Sequence, residues 1–141
     1  MRIHLVRLLQ IAGVLHLGLM CAGLLMPKIV RMRWHLATLP PFIRQLFWVY
    51  YLFIGLCLAG FSVITIVFAD ALAAGSTLAR ALCAFLAAFW TLRLAAAMWV
   101  FDMEPYLTSG ARRLAYRTLN LAFVYLPVVY ALAAAQPRWL D

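Results

Sequence analysis

An arginine stands at position 93 in the run FWTLRLAAAMWVFDMEP, residues 89–105, which carries no other charge until Asp102 and Glu104. A permanent charge in such a run does one of two kinds of work. Its guanidinium fork can hold both oxygens of a carboxylate or phosphate, or it can bind neighbouring polar groups and fix how helices pack. At 1.5 Å per residue Arg93 lies about 12 Å from the end of the apolar run. Exposure to lipid at that depth would cost about a few kcal/mol. On a helix, Arg93, Ala97, Val100 and Glu104 share one face, which positions Glu104 to draw the arginine head toward the membrane surface.

Each of the other apolar runs places a polar side chain at comparable depth. These are His16, Tyr51 and Asn120, with Tyr116 one turn below Asn120. With Arg93 and Glu104 they form a candidate ligand-binding cluster for an anionic or carbonyl headgroup, since an intramembrane ionisable residue is a site hypothesis by default. The alternative is a buried hydrogen-bond cluster that specifies packing. Two stripes of small and polar residues, Tyr51-Gly55-Ser62-Thr65 and Tyr116-Asn120-Phe123-Pro127, mark the faces where helices are expected to meet. Pro127 frees a carbonyl one turn earlier in its helix.

Other chemistries fare worse. Haem held by two histidines needs a second histidine level with His16, and neither His4 nor His35 is at that depth. No cofactor is therefore expected. Few carboxylates or thiols accompany His16, so no metal site is expected either. A proton relay through His16 would lack an intramembrane acid to extend it. There is no nucleophile elbow and no H-E-x-x-H, so no catalytic residue is assigned and a non-enzymatic role is expected. Cys21, Cys57 and Cys83 form no C-x-x-C and read as small apolar residues.

The elements that must position these groups follow from composition. Of 141 residues, 68% are hydrophobic and 11% charged, against about 25% charged in soluble domains. A chain this small cannot hide so much apolar surface in its own core, and the bilayer is the solvent for its outside. Four apolar segments, at about 8–26, 47–69, 78–101 and 114–135, each match the roughly 20 residues that cross a hydrocarbon core as a helix. The alternation of a membrane barrel strand is absent. The expected fold is all-α: an integral membrane protein built as one domain, a single bundle of four transmembrane helices. The apolar run after MRIHLVR exceeds a signal peptide's usual 7–15 residues and is kept as the first helix.

The net charge is +8. The arginines are spread over loops and helix ends, which the positive-inside bias explains better than nucleic-acid binding does. The basic segment 27–46 holds Lys28, Arg31, Arg33 and Arg44 and no acid. With Arg112 and Arg113 it places the first and third loops in the cytoplasm and both termini outside, in what is expected to be a bacterial inner membrane. Lys28, Arg31, Arg33 and Trp34 are expected to contact lipid headgroups, with Pro40-Pro41 resetting the chain before the second helix. At the opposite side Arg7, Asp70 and Arg80 form an outer-face charge cluster, expected to be structural or solvated. Ala84 and Ala88 form a small-xxx-small pair. The expected partners are membrane lipids, a second copy, or a larger membrane complex.

Taken together, these features favour a protein that binds a lipid-like or quinone-like amphiphile, or an accessory subunit of a membrane complex. The alternative is a small enzyme or transporter using Arg93 and His16, although no broken helix pair or internal repeat marks a transporter.

Overall fold

The structure is a computed structural model that describes residues 2–100, 104–106 and 108–135, with the side chains of Arg2 and Glu104 left aside. Four long helices dominate it: α1 (Arg2–Ile29), α3 (Pro41–Val67), α5 (Thr77–Trp99) and α6 (Gly110–Ala135). All four are long and apolar enough to cross a membrane. Two short helices, α2 (Met32–Ala37) and α4 (Ala69–Ala73), lie in the connections, and a single 3-10 turn covers Glu104–Tyr106. The protein is thus an all-α four-helix membrane protein. Helices answer the bilayer's main demand, that every backbone N–H and C=O find a partner without water.

Helix ends differ from the apolar limits where local chemistry extends or stops them. The second span begins at Pro41, the first helical position, where a missing N–H costs nothing and the fixed φ suits the helix. It stops at Val67, two residues short of the apolar limit. Phe68 leaves helical geometry there (φ −105°, ψ 23°) and the chain turns into α4. Gly75 makes the next turn at φ 73°, which favours a residue without a Cβ. Ser76 then caps α5, its hydroxyl accepting from the Ala79 N–H at 3.2 Å.

Pro27 does not end α1 as the apolar limit at residue 26 suggested; the helix runs on to Ile29. A proline at 27 cannot donate to the Gly23 carbonyl four residues earlier. The Tyr51 hydroxyl of α3 donates to that same carbonyl. The acceptor freed by the proline is satisfied from the neighbouring helix, and α1 continues.

Helix α1 is the hub, packed against α3, α4 and α6, while α5 and α6 form a second antiparallel pair. Helix α1 comes close to α3 at Gly13, where a Cβ would come within 2.4 Å of Ile66 Cγ1 and 3.2 Å of the Ile66 backbone N. The Ser62 hydroxyl donates to the Gly13 carbonyl at the same crossing, 2.8 Å away. At the terminal end, α4 tucks Ala69, Leu72 and Ala73 into the core beside Leu5 and Leu9 of α1. Phe61 bridges α3 to α5, meeting Phe85 and Phe89 edge to face at 6.2 and 5.3 Å between ring centres.

Gly13→Ala is expected to destabilise the bundle by about 1–3 kcal/mol, the usual range for overpacking. Gly18→Ala, with nothing within 4 Å of the added Cβ, is the control and is expected to be neutral. Thermal unfolding in detergent compares them, and equal melting temperatures would contradict the close crossing.

Candidate functional site

Two groups of polar side chains stand apart as candidate sites. The first is buried at the centre. His16, near the middle of α1, is fully buried. The Trp90 indole of α5 donates to its Nε2 at 2.7 Å, and Tyr130 Oη of α6 lies 3.4 Å from its Nδ1. Tyr130 Oη is in turn 2.7 Å from Thr65 Oγ1 of α3, and Thr65 donates to the Phe61 carbonyl at 2.7 Å.

The donor inventory sets one direction along this chain. An indole N–H only donates, so Nε2 accepts and neutral His16 carries its proton on Nδ1. The single Thr65 hydrogen goes to the Phe61 carbonyl, so Tyr130 donates to Thr65, and the His16 Nδ1–H faces both the Tyr130 oxygen and the Ala12 carbonyl of its own helix. The order Trp90, His16, Tyr130, Thr65, Phe61 carbonyl satisfies each group and crosses all four long helices. A metal or haem iron would need a ring lone pair of His16, and that pair, on Nε2, faces the Trp90 N–H. Among the described residues no group of three or more His, Cys, Asp or Glu could hold a metal ion.

Arg93 lies at the edge of this core, half-buried on α5. Its guanidinium sits over the Phe123 ring of α6, 5.1 Å from the centre, an arrangement worth about 0.5–2 kcal/mol depending on desolvation. Phe123 stacks on Trp90 at 5.8 Å and 28°, so Arg93 joins the His16 group through two rings. Asn120 and Tyr116 are half-buried one turn apart on α6. The Glu104 side chain, expected to draw Arg93 outward, lies outside what is described, as does Asp102. Of the candidate cluster, then, His16 and Arg93 belong to the central core, and Tyr51 joins α3 to α1 at Gly23.

At the terminal end the three charges of the candidate outer cluster do different things. Arg7 and Asp70 are exposed on α1 and α4. Arg80 crosses to α6, where Nε donates to the Ala134 carbonyl at 2.8 Å and Nη2 to Ala135 at 3.5 Å. It caps the end of that helix, where free carbonyls and the dipole favour a cation.

The second group surrounds an open cleft of about 1050 Å³ where α1 ends, α2 crosses and α3 begins. Lys28, Arg31, Arg33 and Trp34, the expected headgroup contacts, all line it. Trp48, Tyr51 and Tyr106 add aromatic walls, and Leu24 lies one helical turn below Lys28. No acid is among its described lining residues. The carbonyl end of α1 carries about half a negative charge, and three full cations outweigh it. Arg31 takes a left-handed conformation, φ 49°, and its carbonyl accepts from the Trp34 N–H at 2.9 Å as α2 starts.

Compared with protein-family models, curated proteins and solved structures, the chain matches none. The reading of this site therefore rests on its own residues. Sequence reasoning missed Trp90 and Tyr130. The available signal was position: an aromatic with a polar handle, away from the interfacial belts, must find a partner inside the bundle.

His16→Leu is expected to leave the Trp90 N–H buried without an acceptor and to cost about 1–3 kcal/mol. Adding Trp90→Phe removes the stranded donor, so the double variant is expected to lose less than the sum of the single variants. Unfolding titrations in mixed detergent measure this cycle, and strict additivity would contradict the bond.

Proposed function

We propose that this protein is a non-enzymatic membrane protein that holds an amphiphile with an anionic headgroup in the cleft beside α2. The observation that carries the reading is the convergence of Lys28, Arg31 and Arg33 with Trp34, Trp48 and Tyr51 on one cavity. Arginine and lysine match phosphate or carboxylate oxygens, and aromatic rings suit the headgroup level. Leu24, 60% exposed, offers an apolar path for a tail. Arg31 adds support: a left-handed backbone costs an L-residue about 1–2 kcal/mol and glycine would avoid it. An arginine at such a position points to use of its side chain. The excess of cations at this end argues for its placement in the cytoplasmic leaflet.

The central His16 group supports the same reading by its chemistry, because its polar atoms are committed to one another. A second reading, as a subunit of a larger assembly, draws on Ala84 and Ala88, both exposed one turn apart on α5 and small enough for another helix to approach closely.

The test is native mass spectrometry of the protein released gently from its own membrane. The wild type and Arg93→Ala are expected to carry an anionic lipid adduct. The Lys28→Gln/Arg31→Gln/Arg33→Gln variant is expected to lose it by about a thousandfold, roughly tenfold for each charge-assisted contact removed. Loss in Arg93→Ala with retention in the triple variant would move the site to the interior. Co-release of a second copy or a partner, with no lipid, would favour the subunit reading.

A further inference from the structure

A second, smaller cleft adjoins the first. It measures about 480 Å³ and is lined by Arg33, Leu36, Arg44 and Trp48. Arg33 and Trp48 line both clefts, so the two share a wall. Arg44 belongs to the first turn of α3, its N–H bonded to the Pro40 carbonyl at 3.1 Å. The helix start adds a partial positive charge to that of the arginine.

Charge and layout together narrow the ligand. A headgroup with one negative charge is matched by the first cleft alone and leaves Arg44 without a role. Cations placed on both sides of Arg33 instead suit an anion extended across the shared wall, with one anionic group among Lys28, Arg31 and Arg33 and the next between Arg33 and Arg44. Arginine suits this because its planar fork can bridge oxygens of adjacent phosphates. Trp48 lines both clefts beside Arg33, and Phe47 meets it edge to face at 5.5 Å.

From this layout we infer that the amphiphile carries a headgroup of two linked phosphates, the lipid diphosphate class, seated across both clefts with Arg33 between its phosphates. The inference rests on the anionic-amphiphile reading above.

The test titrates the purified full-length chain, in neutral detergent, with farnesyl diphosphate, farnesyl monophosphate and farnesol, followed by tryptophan fluorescence. One tail with three headgroups isolates the charge. The diphosphate is expected to bind about tenfold more tightly than the monophosphate, a gap typical of one added charge-assisted group, with farnesol weaker than both. Arg44→Gln, an exposed position, is expected to erase the diphosphate preference while leaving monophosphate affinity and the melting temperature unchanged. Equal affinity for the two phosphates, both above farnesol, would overturn the diphosphate inference and leave the anionic-amphiphile reading standing. The same holds for a preference that survives Arg44→Gln. Equal binding of all three compounds, or binding of none, would overturn both.

Discussion

Everything in this bundle turns on a shortage of hydrogen-bond partners in hydrocarbon. Each polar atom within a span must be met by the protein itself, from its own helix or from another, because water is not there to meet it. His16 is where that demand is most concentrated. Its two nitrogens face Trp90 and Tyr130, and Tyr130 passes the demand to Thr65. Individual bonds of this kind average about 0.6 kcal/mol in membranes, too little to hold a fold by strength. Their effect is on specificity: turning α5 away from α1 strands the Trp90 N–H, and turning α6 away from α3 strands the Tyr130 hydroxyl. Apolar packing fills the space, and the directed chain selects one arrangement among many of similar apolar area.

Helix α1 carries most of this specification. Hydroxyls donate to its carbonyls at three levels: Tyr125 to Leu8 at 3.0 Å, Ser62 to Gly13 at 2.8 Å, and Tyr51 to Gly23. The last of these couples the scaffold to the cleft. Tyr51 lines the cavity with its ring and holds α1 with its oxygen, at the carbonyl that Pro27 leaves open. The proline thus sits where the framework ends and the basic site begins. Just beyond it come Lys28 and then Arg31, whose left-handed backbone turns the chain into α2. A permanent charge is placed in two different ways in this molecule. Arg93 lies on an aromatic face at the edge of the core, whereas Lys28, Arg31 and Arg33 face an open cavity.

Much of the architecture was legible in the sequence, because a membrane span needs only length and apolar content. The turn at Gly75 and the Ser76 cap follow from local rules, whereas α3 starts at Pro41, six residues before the expected limit at 47, because a proline at the first helical position extends the helix beyond its apolar run. Lys28, Arg31, Arg33 and Trp34 were legible as a group because they are neighbours in the chain. The expected cluster of His16, Tyr51, Arg93 and Asn120 was assembled from depth alone, and depth does not specify which face of a helix meets which neighbour. That is why Trp90 was passed over although it lies three residues from Arg93. Its role depends on α5 presenting that face to α1, and nothing local encodes the pairing. The persistence of α1 past Pro27 was hidden for the same reason, since the Gly23 carbonyl it frees is met by a tyrosine 28 positions beyond that glycine in sequence.

One experiment tests directly whether the proposed ligand site lies in the basic cleft and not in the interior of the bundle. The protein, labelled with ¹⁵N at histidine and tryptophan side chains, is recorded by NMR before and after addition of an anionic amphiphile. The account predicts that the indole signals of Trp34 and Trp48 move, while Trp90 and a His16 ring protonated at Nδ1 stay where they were. Movement of Trp90 and His16, with Trp34 and Trp48 unchanged, would contradict it and place the site at the centre of the bundle.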